Sequence, residues 1–356
     1  MYLFLFSLLV GVALTRLGIV YSQKIGLVDD PGKRKIHLEP MPLLGGTALF
    51  LTIGISLIFH LLWIHWGMYF LKIILTPELA DALHGVYKVS HQLLAIAIAG
   101  LIIFITGLID DKFDLNSWIK FGLQSTVAII VMNSGVRITL FLDNEWLSYV
   151  ISYLWIVGMT NAFNFLDNMD GLCAGIALIA SFFLFTISIS MNEYFISGFL
   201  AVFMGAISAF LIFNFNPAKI FMGDSGSLFI GFMMACITIL GTFYFNEASI
   251  FSVAMPVFIL AVPIYDLCSV LIIRQIEGRP FYKGDNSHFS HRLVKLGMTA
   301  KQAVLFIYLV TFATGVSALL LASVNLAGVI LLSLQCLAIL SIIALLELYG
   351  QKHNHY

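Results

Sequence analysis

Asp110-Asp111, Asp167, Asp170 and Asp224 are the residues of this chain best suited to chemistry, because each stands at the border of a long apolar run. Two adjacent carboxylates repel, and each raises the other's pKa unless a cation relieves them. Mg²⁺ suits such a pair, since it takes one or two carboxylates and completes its shell with substrate phosphates and water. Lys120 lies one turn inside the next apolar run, placed to reach back toward the pair. A charged Asp at a bilayer centre costs roughly 2.5–3.5 kcal/mol, so several acids kept at membrane borders point to a use. That use is holding a divalent metal against phosphate at a lipid–water boundary. The plain alternative for Asp110-Asp111 is an exposed acidic turn.

A second constellation is Asn161-Ala-Phe-Asn164-Phe-Leu-Asp167-Asn-Met-Asp170-Gly171, where a carboxamide or carboxylate recurs every three residues. Helical spacing of three keeps neighbours on one side with a drift of about 60° per step, so the four form a short curved ridge. A helix N-cap accounts for Asp170 but not for the other three. In Met222-Gly-Asp224-Ser-Gly-Ser227 the acid precedes small residues at a helix start, a place that attracts anions and equally a place for a simple cap. The stretch from Arg274 to Arg292 supplies the opposite charge. His288, His291 and Arg292, with Arg279 upstream, make a cationic cluster able to hold phosphate oxygens through charge-assisted hydrogen bonds. Zinc is a poorer reading, because two His without a nearby Cys are too few ligands. The basic run around Lys35, followed by Pro42-Leu-Leu-Gly45-Gly46, serves as a topology signal or as a head-group contact. Asp266 is expected to pair structurally with Arg274 or a Lys.

The elements that must position these residues are transmembrane helices. Of 356 residues 60% are hydrophobic and 10% charged, with a mean hydropathy of +1.00; soluble domains average about 25% charged. Runs long enough to span, about 17–25 residues each, lie at approximately 3–22, 43–66, 92–109, 119–135, 147–163, 172–190, 196–214, 227–245, 250–273, 302–322 and 326–349. The expected fold is an all-α polytopic membrane protein of about eleven helices. All but Lys72, Lys88 and Arg137 of the 18 Lys and Arg fall on one side, which by the positive-inside rule is the cytoplasm. The N-terminus is then outside and the C-terminus inside, with Asp110, Asp111, Asp167, Asp170 and Asp224 all on the cytoplasmic face. The first run has no basic segment before it and reads as a retained helix rather than a signal peptide. Cys173, Cys236, Cys268 and Cys336 lie in apolar runs without metal spacing and read as packing residues. A net charge of −1 argues against a nucleic-acid partner. The chain is expected to form one domain over 1–356, its site built on loops 23–42, 110–120, 161–171, 214–227 and 274–301.

From about residue 24 to 305 these motifs resemble the polyprenyl-phosphate N-acetylhexosamine-1-phosphate transferases (glycosyltransferase family 4). The nearest branch transfers GlcNAc-1-phosphate from UDP-GlcNAc to undecaprenyl phosphate. The resemblance is carried by Arg34-Lys-Ile-His with Pro42…Gly45-Gly46, by Asp110-Asp111 with Lys120, and by Asn161…Asn164…Asp167…Asp170-Gly171-Leu172. Met222-Gly-Asp-Ser-Gly-Ser and Gly278-Arg-Pro-Phe…His288…His291-Arg-Leu complete it. It implies that Asp224 binds Mg²⁺, with Mn²⁺ a substitute, helped by Asn164 and Asp111. It implies that Asp110 or Asp111 deprotonates or positions the lipid phosphate, which Lys120 neutralises. Asp167 and Asp170 would sit in the nucleotide-sugar pocket, and His288, His291, Arg292 and Arg279 would contact the diphosphate and sugar. Asn161 and Lys35 join the expected substrate contacts. Ser290 replaces the middle His of the family's usual His-x-His-His, and Leu43 replaces an Arg; the first departure bears on the sugar more than on the reaction.

The implied reaction is attack of a polyprenyl phosphate oxygen on the β-phosphate of UDP-GlcNAc with release of UMP, or a two-step version with an Asp as covalent nucleophile. It would be the first membrane step of cell-envelope polysaccharide synthesis at a bacterial inner membrane, by a monomer or a homodimer. Two rivals come from other classes. An ion-coupled transporter calls for acids near the midplane and inverted repeats. An intramembrane aspartyl protease would use Tyr265-Asp266 and Gly223-Asp224, which stand here in reversed order.

Overall fold

The computed structural model of the chain describes residues 1–29, 40–70, 89–139, 144–241, 254–280, 287–321 and 323–353. Lys35, with the rest of the basic run around it, lies outside the described residues. The long apolar runs are helices because the chain can satisfy its own backbone N–H and C=O groups in no other open form within lipid. In chain order they are α1 (Tyr2–Ile25), α2 (Gly45–Phe70), α3 (Ser90–Phe113), α4 (Ser117–Asn133), α5 (Glu145–Leu166), α6 (Leu172–Ser190) and α7 (Tyr194–Asn214). They continue as α8 (Gly223–Leu240), α9 (Met255–Ile259), α10 (Ala261–Ile276), α11 (Phe289–Lys295), α12 (Ala300–Leu320) and α13 (Leu326–His353). Nine of these are long and apolar enough to cross a membrane among the described residues, so the protein is an integral, polytopic membrane protein.

The run expected at 119–135 is found as α4, a helix of 17 residues. One of the expected runs takes another form. The run at 250–273 is interrupted at Leu260, which separates α9 from α10. Pro263 sits in the first turn of α10, where a missing N–H is tolerated. Two further differences concern the loops. The all-α expectation is amended by a two-residue antiparallel ribbon, β1 (Val28–Asp29) paired with β2 (Met41–Pro42). The loop expected at 274–301 contains α11, seven residues that begin at the paired His.

Burial ranks the helices. In α8 78% of the spanning window is buried, against 22% in α1 and in α13. The helix that begins with Gly223-Asp224 is therefore central, packed between α3 and α5, with α2 across its first turn. Small residues permit this approach. A Cβ at Gly107 of α3 would stand 2.4 Å from the Ser225 backbone, and one at Gly46 of α2 would stand 2.3 Å from the Gly226 nitrogen. Backbone meets backbone at both places, the packing that Gly allows between membrane helices.

Candidate functional site

The acids predicted to act together do converge, and helix ends bring them there. Asp110 and Asp111 occupy the last turn of α3. Asn164 lies in the last turn of α5, Asp167 caps that helix, and Asp224 is in the first turn of α8. Lys120 reaches in from the first turn of α4. Its ammonium donates to Asp110 Oδ2 at 2.6 Å and to Asp224 Oδ2 at 3.2 Å. The second oxygen of Asp110 accepts the Leu115 N–H at 2.7 Å, which fixes the turn between α3 and α4.

Asp111 makes a different kind of contact. Its Oδ1 accepts the backbone N–H of Asp224 at 2.6 Å, and its Oδ2 accepts that of Ser225 at 3.1 Å. A helix start leaves N–H groups without intrahelical partners, and here a carboxylate from another helix takes two of them. Gly223 makes the fit possible. Its φ of +70° is left-handed, and a Cβ there would lie 2.6 Å from both Asp111 oxygens. Asn164 donates its amide to Asp224 Oδ1 and to Ser227 Oγ, both at 3.0 Å. It holds the Asp224 carboxylate in place through its NH₂ group, an arrangement that differs from direct ligation of a metal by its oxygen. Asp224 is thus held at its N–H and at both side-chain oxygens.

Asp110, Asp111, Asp167 and Asp224 open onto a cleft of about 800 Å³, whose lining does not include Lys120 or Asn164; this is within the usual size of a small-molecule site. Seven aspartates line it: Asp29, Asp110, Asp111, Asp114, Asp167, Asp170 and Asp224. His291 joins them from α11, and Asn168, Asn214 and Asn216 add neutral polar groups. Burial and the excess of negative charge act together on one of these acids. The Asp167 carboxyl is pushed up to about 8 by burial first, then by the charges of Asp224, Asp111 and Asp170, against a lowering hydrogen bond from the Gly223 N–H. Asp170 faces the far wall, where its Oδ2 accepts the Asn216 amide and the Ala218 N–H at 3.0 Å each. Asn214 holds the near side of that wall by accepting the Gly171 N–H at 3.0 Å and donating to the Ile220 carbonyl at 2.9 Å.

The donor set fits a hard divalent cation. No three of His, Cys, Asp and Glu close round one point among the described residues, which rules out a preformed cage of the kind zinc takes. Mg²⁺ needs no such cage, because one or two carboxylates suffice when phosphate and water supply the rest. Two carboxylate oxygens already share a cation, the Lys120 ammonium.

Four expected contacts go elsewhere. Asn161 lies one turn deeper than Asn164 and forms a carboxamide pair with Gln124 of α4, donating at 2.7 Å and accepting at 3.5 Å. His288 is buried, with Nδ1 3.1 Å from Asp266 Oδ2. Asp266 also accepts the Phe289 N–H at 2.6 Å, so its partners are the start of α11 rather than Arg274 or a Lys. Arg292 is buried against α13, its Nε 3.0 Å from Glu347 Oε2. Arg279 is half-buried and pairs with Glu277. None of Asn161, His288, Arg292 and Arg279 lines the cleft. Gln124, Asn168, Asn214 and Glu347 were not singled out from the sequence. Glu347 carried a signal all the same, as the sole carboxylate of the last apolar run.

A model of glycosyl transferase family 4 matches residues 93–242, a stretch that holds Asp110, Asp111, Lys120, Asn164, Asp167, Asp170 and Asp224. The chain is 34% identical over 328 residues to the probable undecaprenyl-phosphate N-acetylglucosaminyl 1-phosphate transferase of Bacillus subtilis (strain 168), covering 90% of this chain and 84% of the relative. It is 30% identical over 316 residues to the decaprenyl-phosphate N-acetylglucosaminephosphotransferase of Mycobacterium tuberculosis (strain ATCC 25618 / H37Rv), covering 81% and 74%. The undecaprenyl-phosphate alpha-N-acetylglucosaminyl 1-phosphate transferase of Escherichia coli (strain K12) is 27% identical over 318 residues, covering 85% and 77%.

Proposed function

This chain belongs to glycosyl transferase family 4, and on that premise we propose that it transfers N-acetylglucosamine 1-phosphate from UDP-N-acetylglucosamine to undecaprenyl phosphate, releasing UMP. The observation that carries the reading is the meeting of Asp110, Asp111, Lys120, Asn164 and Asp224 from four helices, with the three acids lining one cleft. The acceptor's tail must stay in hydrocarbon while its phosphate meets a soluble nucleotide, and helix ends are where those two requirements coincide.

The chain's own groups divide the work as follows. Lys120 moves its ammonium from the acids to the acceptor phosphate, offsetting charge that would otherwise repel the carboxylates. Asp110, released from Lys120, accepts or positions the proton of that phosphate. Asp224, held by Asn164 and by the cap that Asp111 provides, faces the diphosphate of the donor. Bound Mg²⁺ would supply neutralisation of the diphosphate oxygens as charge develops on the leaving UMP. An acceptor oxygen forms the new bond to the β-phosphorus, and the bond from that phosphorus to the bridging oxygen breaks with its electron pair leaving on UMP. Asp167, Asp170 and His291 line the part of the cleft left for nucleotide and sugar.

The distribution of Lys and Arg supports eleven crossings with the N-terminus outside and the cleft opening to the cytoplasm of a bacterial inner membrane. The transporter reading is disfavoured because the acids stand at helix ends rather than mid-span. The protease reading is disfavoured because Asp266 is bound by His288 and does not line the cleft with Asp224. Purified protein incubated with UDP-N-acetylglucosamine, Mg²⁺ and undecaprenyl phosphate should yield UMP and lipid-linked sugar diphosphate in equal amounts. No UMP under these conditions rejects the reaction.

A further inference from the structure

The short helix α11 presents four polar residues in a row of five, and the structure sends each in a different direction. His288, its N-cap, is bound to Asp266 of α10. Ser290 donates to Asn168 Oδ1 at 2.5 Å, which joins α11 to the turn after α5. Arg292 turns to the last helix. His291 lines the cleft. A seven-residue helix has too few backbone bonds to hold an orientation alone, so these side-chain ties decide which residue meets substrate.

The Arg292 tie is the most demanding of them. Its guanidinium is buried, within 3.0 Å of Glu347 Oε2 through Nε, and it donates to Ser269 Oγ at 2.8 Å and to the Ser287 carbonyl. The Tyr265 hydroxyl donates to the same Glu347 oxygen at 2.8 Å, and its ring lies under the guanidinium. Glu347 is itself buried and is the sole carboxylate of the final apolar run. A buried charge left without its partner is strongly unfavourable, and Arg292 would then be drawn toward the negative cleft one residue away from His291. Glu347 lies far outside the 93–242 stretch that matches the family.

We propose that Glu347 is a positioning residue for sugar-nucleotide binding: by holding Arg292 against α13 it fixes the orientation in which His291 faces the cleft. The proposal rests on the transfer reaction assigned above. The experiment measures UMP release by the full-length protein at varied UDP-N-acetylglucosamine for wild type, E347Q, E347D, H291A and the E347Q/H291A double variant. Loss of binding that is not specific to the transition state raises KM with kcat preserved. E347Q is expected to raise KM for the sugar nucleotide about tenfold with kcat within about twofold, and E347D to recover most of that loss. The double variant should be no worse than H291A alone, since residues acting through one another are non-additive. An unchanged KM in E347Q, or additive losses in the double variant, overturns the proposal. If E347Q is not recovered as monodisperse protein, Y265F decides, with a KM rise of about threefold expected and an unchanged KM overturning it. Inactive wild type overturns the reaction and the positioning role together, whereas active wild type with an indifferent E347Q overturns the positioning role alone.

Discussion

Asp111 caps the helix that carries Asp224, accepting the N–H groups of Asp224 and Ser225 at 2.6 and 3.1 Å across 113 and 114 positions of sequence. One acid is therefore structural to the other. Replacement of the two should separate stability from turnover. Asp224→Asn keeps the side-chain shape but only one acceptor oxygen, so its NH₂ must face either the Asn164 amide or the Lys120 ammonium. It should cost roughly a hundred- to thousandfold in kcat, with a smaller loss of thermal stability in detergent than Asp111→Ala. Asp111→Ala should lose turnover as well and in addition destabilise by about 0.5–2 kcal/mol, the usual cost of a lost cap. Retained UMP release in Asp224→Asn would remove it from the centre of the reaction.

Gly107 and Gly122 offer a paired steric test. A methyl group at Gly107 meets the Ser225 backbone at 2.4 Å, whereas one at Gly122 meets nothing within 4 Å. Gly107→Ala should destabilise by about 1–3 kcal/mol through overpacking and displace the first turn of α8, with loss of activity. Gly122→Ala should leave both melting temperature and rate where they are. Equal behaviour of the two variants would mean that α3 and α8 do not meet as closely as described.

Asn161 and Asn164 should part company in kinetics. Asn161→Ala strands the buried Gln124 amide, a loss of about 1–3 kcal/mol, and should lower the melting temperature with KM and kcat unmoved. Asn164→Ala frees Asp224 and should cost about 10–100-fold in kcat, as loss of support for a ligand does. The measurement is a thermal melt beside a UMP assay for each.

Asp167 gives a pH dependence whose sign can be worked out. Its carboxyl titrates near 8 in the folded protein and near 3.8 in the unfolded chain. Between those values the folded state holds a proton that the unfolded state has shed, so the metal-free protein loses stability as pH rises through that window. A bound cation reverses the balance, since it needs the ionised carboxylates and displaces the proton. Apparent Mg²⁺ affinity should then rise from pH 6 to pH 8 with proton release, read by calorimetry in buffers of different ionisation heat. Asp167→Asn should flatten the trend; a trend that survives in that variant would assign the proton elsewhere.

The convergence itself was legible in the sequence, because an acid at the end of an apolar run has few places to be. The directions of individual side chains were not. Asn161 and Asn164 share the i, i+3 spacing of His288 and His291, and in each pair one member reaches the cleft region while the other is spent on a neighbouring helix. Spacing fixes an angle within one helix; the choice of face belongs to the partner, here Gln124 or Asp266, and partners are set by packing. The same reasoning explains Arg292. Positive-inside counting groups it with the other basic residues of its loop, whereas its partners Glu347, Ser269 and Ser287 hold it away from the cleft. Helix existence was read well, and the break at Leu260 was not, since a run of apolar residues shows no mark where two short helices meet.

The central burial of α8 bears on how the protein tolerates its surroundings. Swelling or thinning of the bilayer pushes first on the least buried helices, α1 and α13, of whose spanning windows 22% is buried in the protein. The turn that carries Asp224 is wedged by glycine contacts from α2 and α3, mechanically insulated from that pressure. A strain adjusting its lipids to cold or heat can then keep the same spacing among its acids, with the outer helices absorbing the change in tilt.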